Sequence, residues 1–181
     1  MGDIPFDPYA GNLLTQGLGP ILDQAEMLRR LTYLPPKPGN VKGLPKIHRL
    51  HHLLALRDFH WPFLEGRRLA ETIDLMIRPG YRYRDPTRAQ TWSLVGGESA
   101  RPAPPRSPAS SAMVVGHSGS GKTDAIHHAL GCYPSQIIVH ENFPRIVGQH
   151  TQMVWQSTDV PASGRSADLA DNLMRTWDAT M

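Results

Sequence analysis

The chain has 181 residues, of which 40% are hydrophobic and 19% charged, and its formal net charge is +3. This is the composition of an ordinary soluble globular protein of one domain or two small ones, and the mild positive balance permits nucleic-acid contact without requiring it. No apolar run approaches membrane-spanning length and no secretory leader is visible, so a cytoplasmic location without membrane association is expected. Cys132 is the only cysteine, which excludes an intrachain disulfide, and it reads as a small buried residue near a helix end.

Residues 1–19 read as an extended arm, with Pro5, Pro8 and several glycines. Residues 23–31 (DQAEMLRRL) are spaced as a short amphipathic helix, broken by the proline-rich stretch at 34–39. Ile47, Leu50 and Leu54 recur at helical spacing in the next segment. Residues 64–78 give the clearest helix of the first half. Its apolar face is Leu69, Ile73, Met76 and Ile77, with Glu71, Asp74 and Arg78 outside, and Pro79-Gly80 is expected to end it. A basic-aromatic strip follows at 81–86 (YRYRDP), and residues 96–111 are rich in Pro, Ser and Ala, as in a linker. The resulting division is a helical region over 1–92, a linker over 93–111 and a third region over 112–181.

That third region opens with the most specific motif of the chain. Gly116-His117-Ser118-Gly119-Ser120-Gly121-Lys122-Thr123 fits G-x-x-x-x-G-K-[ST], the phosphate-binding loop of nucleotide triphosphatases. The glycines let backbone N–H groups close around phosphate oxygens. Lys122 is placed to reach the β- and γ-phosphates of ATP, and the Thr123 hydroxyl to hold Mg²⁺. The apolar run Ala112-Met113-Val114-Val115 reads as a buried strand before the loop, and residues 122–130 (KTDAIHHAL) as a helix stopped by Gly131. Such a helix would aim its orphan N–H groups and positive dipole end at the phosphates.

Beyond the loop, strands are expected at 136–140 (QIIVH) and 151–158 (TQMVWQST), with a turn region at 142–148 between them. A last helix is expected at about 167–179, with Ser166 as its N-cap and Leu169, Leu173 and Trp177 on one face. Hydrolysis in this class also needs an acid at a strand end to hold the metal. Two candidates follow the loop, Glu141 and Asp159, and neither ends an uninterrupted apolar run.

Several further segments resemble the transposition ATPases of the TniB/TnsC type, AAA+ proteins of bacterial mobile elements. They are residues 31–36 (LTYLPP), 50–59 (LHHLLALRDF), 71–86 (ETIDLMIRPGYRYRDP), 118–134 (SGSGKTDAIHHALGCYP) and 152–164 (QMVWQSTDVPASG), in the family's order and across nearly the whole chain. The resemblance implies an α/β fold: a P-loop NTPase core of AAA+ type, incomplete here, after a mainly helical N-terminal region. It implies ATP and Mg as cofactors, with the strip from Arg78 to Arg84 beside the nucleotide base and Asp159 on the second core strand. It also implies double-stranded DNA, a transposase and target-selection proteins as partners, and a homo-oligomer assembled on DNA. The family's metal-binding acid, sensor residue and arginine finger would all follow Met181. A truncated product that binds ATP and hydrolyses it poorly is therefore expected.

Two other readings use the same residues. A small kinase would employ Asp159 as metal ligand or base. A non-enzymatic interaction module would dock through its first half and keep a vestigial nucleotide site. His48, His51, His52 and His60, with His127 and His128 after the loop, raise a histidine metal site, but His48 and His52 lack a nearby acid and read as surface or partly packed residues. Arg67, Arg68, Arg78, Arg82, Arg84 and Arg88, with Tyr81 and Tyr83, would suit either DNA phosphates or a solvated face. Trp61, Trp92, Trp155 and Trp177 are expected in the core.

Overall fold

The computed structural model describes residues 7–97 and 110–181. In chain order the described elements are α1 (Leu13–Gln16), α2 (Gln24–Leu31), α3 (Lys46–Leu54), a 3-10 turn (Ala55–Asp58), α4 (Leu64–Arg82), α5 (Ala89–Val95), α6 (Lys122–Leu130), β1 (Ile137–His140), β2 (His150–Met153) and α7 (Ser166–Thr180). Packing divides the chain into two units. One comprises Met1–Pro20, Leu75–Ser111 and Tyr133–Met181, and the other Ile21–Asp74 and Ala112–Cys132. Most of the expected linker, residues 98–109, lies outside the described residues, and α5 occupies its first positions.

In the first unit, β1 and β2 form a two-stranded antiparallel sheet, with Ile137 opposite Met153 and His140 opposite His150. Its buried positions are partly polar, and each polar group there has a partner. The Gln152 side-chain amide donates to the Leu14 carbonyl at 3.0 Å, and its oxygen lies 2.8 Å from His140 Nε2. β2 is shorter than the sequence suggests. The Val154 N–H still reaches the Gln136 carbonyl at 2.8 Å. Beyond that the partner strand runs out, because Ser135 bonds its own local backbone and Pro134 has no N–H to offer. Asp159 therefore stands in irregular chain rather than at a strand end.

The described part of the expected N-terminal arm, residues 7–19, is packed. Asn12 caps α1 by accepting from the Leu14 N–H at 3.0 Å, and its amide donates to the Tyr81 carbonyl at 2.8 Å. Thr15 and Leu18 are buried beside it. The same contacts explain why α4 passes through Pro79 instead of stopping. Pro79 removes one helical hydrogen bond, to the Leu75 carbonyl, at a residue that is exposed and has water at hand. In return, the buried Arg78 guanidinium donates to the Gly19 and Pro20 carbonyls at 3.0 Å each, and Tyr81 Oη donates to the Met153 carbonyl at 3.2 Å. Tertiary bonds on both sides of the proline outweigh the local break.

α7 begins one residue earlier than expected. Arg165 takes the N-cap place, so Ser166 is not the cap, and the Ser163 hydroxyl donates instead to the Asp168 carboxylate. None of its residues is buried, and Trp177 remains 43% exposed.

The second unit has a small apolar core. Met27 and Leu31 of α2 pack with Ala70 of α4, Ala129 of α6 and Cys132, and Leu22 and Ile73 lie against them. α2 forms where its apolar stripe predicts it, and Asp23 caps it by accepting from the Glu26 N–H at 2.8 Å. Tyr33 and His60 pair as an isolated antiparallel bridge, with both N–H···O distances 2.9 Å. The Arg30 guanidinium donates to the Cys132 carbonyl at 2.9 Å, joining α2 to the end of α6. Cys132 is buried, as its sequence context suggests, and burial pushes its thiol pKa up. Trp61, expected in the core, is 54% exposed, and Trp92 and Trp155 are only half-buried.

Candidate functional site

The glycine loop lies wholly within the second unit. Gly119 and Gly121 both have φ of +77°, in the left-handed region open to glycine, and Gly121 is the N-cap of α6. The Ser120 N–H bonds the His117 carbonyl at 3.3 Å, closing the turn, and the Ala125 N–H bonds the Gly121 carbonyl at 2.8 Å, starting the helix. A Cβ added at Gly116 would lie 3.0 Å from Ser120 Oγ and 3.5 Å from Lys122 Cδ, so the absence of a side chain there keeps the concave side of the loop open. No side chain caps α6, and its first N–H groups carry the usual orphan donors of a helix start.

Lys122 folds back over the loop. Its ammonium donates to the Gly116 and His117 carbonyls at 2.8 and 2.6 Å. Thr123 is exposed on the first turn of α6. Ser118 sits in the turn, and every residue from Gly116 to Gly121 is exposed to solvent.

The expected strand before the loop is absent. Ala112, Met113, Val114 and Val115 make no strand pairing among the described residues, and Met113 and Val115 are 85% and 78% exposed. A strand exists only by hydrogen-bonding a neighbour, and none lies beside this segment in its unit. The sheet among the described residues is two-stranded and antiparallel, so only the loop and α6 correspond to parts of the expected P-loop NTPase core. Glu141 and Asp159 belong to the first unit and the loop to the second. Both acids are exposed, and Glu141 accepts from the Gln149 side chain at 3.1 Å. The Arg78–Arg84 strip is also part of the first unit, where Arg78 is buried and acts as a structural clamp.

A cleft of about 610 Å³ opens beside the loop. It is lined by Gly116, Ser120 and Lys122 of the loop and by the aromatic run Phe59, Trp61 and Phe63 before α4. His60 and Asp124 also line it. The cleft thus combines left-handed glycines, a cationic side chain on the loop and aromatic lining residues.

The structure also gathers a cluster that the sequence reading left apart. His60 and His128 stack with ring centroids 3.7 Å apart and planes 9° from parallel. His128 Nε2 lies 3.6 Å from an Asp124 carboxylate oxygen, across one turn of α6. His60 Nδ1 lies 2.5 Å from the Leu31 carbonyl, which can only accept, so this nitrogen carries the proton. Burial lowers the His128 pKa, and the nearby His60 adds to this while Asp124 opposes it. The spacing of Asp124 and His128 four apart on a helix was a readable signal. The third member, His60, arrives only through the Tyr33–His60 bridge. His48 and His52, the i,i+4 pair visible in the sequence, lie exposed on α3.

Comparison with known proteins gives no assignment: no protein-family model matches the chain, and no curated protein matches its sequence. Among the described residues, no helix is long and apolar enough to cross a membrane.

Proposed function

We propose that this chain is an ATP-binding protein of the AAA+ transposition type, acting where target DNA selection is coupled to a transposase. The observation that carries the reading is the loop itself: the full phosphate-loop motif, with Gly119 and Gly121 in the left-handed conformation, leads directly into α6 with Lys122 at its first position. The family segments in their shared order supply the transposition context. Double-stranded DNA, the transposase, target-selection proteins and a homo-oligomer are the partners this reading entails.

In this reading the loop amides and the start of α6 bind the triphosphate, Lys122 turns from its own carbonyls to the β- and γ-phosphates, and the Thr123 hydroxyl holds Mg²⁺. The cleft volume of about 610 Å³ falls within the range of small-molecule sites, and Phe59, Trp61 and Phe63 offer faces for the base. Neither Glu141 nor Asp159 ends an uninterrupted apolar run, so binding without efficient hydrolysis is the expected behaviour.

The test is a fluorescent-ATP titration in the presence of Mg²⁺, comparing wild type with Lys122→Ala. One charge-assisted hydrogen bond contributes about 1.5–3 kcal/mol, so the variant should bind about 10- to 150-fold more weakly. Equal binding by the two proteins, or no binding by folded wild type, would overturn the proposal.

A further inference from the structure

We propose that His60, Asp124 and His128 form a binding site for a divalent transition metal, with zinc the best match to the donor set. One ring nitrogen of each histidine and one Asp124 oxygen lie within 4.8 Å of one another. Two imidazoles and a carboxylate suit zinc and its neighbours rather than Mg²⁺ or Ca²⁺, which prefer oxygen ligands throughout. In a tetrahedral site with bonds of about 2.0–2.1 Å, ligand atoms stand about 3.3 Å apart. The cluster must therefore contract by no more than about 1.5 Å, a movement assigned to the Asp124 and His128 side chains because His60 is held by the Leu31 carbonyl.

The surroundings favour the metal-bound arrangement. His60 donates its Nδ1 proton to the Leu31 carbonyl, the kind of outer partner that fixes the ring of a metal-ligating histidine and leaves Nε2 to coordinate. Asp124 and His128 are one turn apart on α6, so the helix sets their separation before any ion arrives. Three protein ligands leave a fourth position. Because His60 and Asp124 line the same cleft as Gly116 and Lys122, a ligand in that cleft is the natural occupant. This site is distinct from the Mg²⁺ position expected at Thr123, and it does not depend on nucleotide binding.

The experiment is a calorimetric Zn²⁺ titration of the full chain without nucleotide, paired with visible absorption of the Co²⁺ form. One equivalent should bind, with the intense ligand-field bands of a four-coordinate site. Asp124→Asn and His128→Asn should each weaken Zn²⁺ binding by at least about tenfold. Asp124 is largely exposed, so its variant tests the site without a folding penalty, and circular dichroism checks this. A His48→Asn/His52→Asn double variant should leave the affinity unchanged. Unchanged affinity in Asp124→Asn and His128→Asn, or loss confined to the α3 double variant, would overturn the proposal.

Discussion

The left-handed glycine at the start of α6 is the most direct test of the loop geometry. Consider Gly121→Ala. Gly121 has φ +77° and ψ 18°, and a Cβ built there meets no atom within 4 Å. The substitution therefore adds no steric clash, and its whole cost is the backbone preference of an L-residue against the left-handed region, about 1–2 kcal/mol. The alternative is that the loop relaxes to a negative φ. Relaxation would shift the start of α6 and break the Ser120–His117 turn, and the cost would then appear in ligand binding instead. Urea unfolding followed by circular dichroism should show a loss of about 1–2 kcal/mol for Gly121→Ala. Gly121→Asn should lose less, because asparagine tolerates this region better. Gly97, with φ +73° and equally open surroundings, provides a matched control outside the loop. A loss below about 0.5 kcal/mol at Gly121, with unchanged ATP binding, would refute the argument that this glycine is required by its conformation.

Two further outcomes follow from the second unit. Leu31→Ala should cost about 3–5 kcal/mol, the upper part of the usual range, because three of its core neighbours (Ala70, Ala129 and Cys132) are too small to close the cavity; a loss under about 1 kcal/mol in urea unfolding would show that the core is not formed as described. Glu26 has its carboxyl pKa lowered to about 2, first by the hydrogen bond from Arg29 and then by that from Arg30. A folded value below the unfolded one means that the pair stabilises α2 above the ordinary carboxylate range and that this contribution fades as pH falls from about 4.5 toward 2. The group is exposed, so the effect is small. Wild type should lose more stability than Glu26→Gln over that window, and identical acid titrations would count against the pairing.

Elements set by local chemistry were legible. α6 runs as expected up to the Gly131 stop, α2 starts one residue later than expected because Asp23 caps it, and β1 differs from its expected range by one residue. Features decided by distant partners were not. Pro79 looks like a helix end until Arg78 and Tyr81 find carbonyls at Gly19, Pro20 and Met153. The run 112–115 looks like a strand because apolar character is a sequence property, whereas strand pairing needs a neighbour that the described chain does not bring. The loop residues Gly116 to Thr123 were all read from the sequence, since the motif is contiguous. The His60–Asp124–His128 cluster was not, since one member lies 64 and 68 residues from the others and meets them only through tertiary pairing.

Lys122 joins these observations. With its ammonium on the Gly116 and His117 carbonyls, the loop closes on its own cation. A triphosphate would exchange two neutral acceptors for anionic ones, and charge-assisted bonds are roughly twice as strong. The exchange therefore favours the phosphates while keeping the loop shaped in their absence. Removing the ammonium then has two effects of separate origin: it deletes a phosphate contact, and it leaves two carbonyls to water on a loop that is already exposed. The second effect is small because water replaces what is lost, so most of the deficit in Lys122→Ala should appear in binding and little in stability.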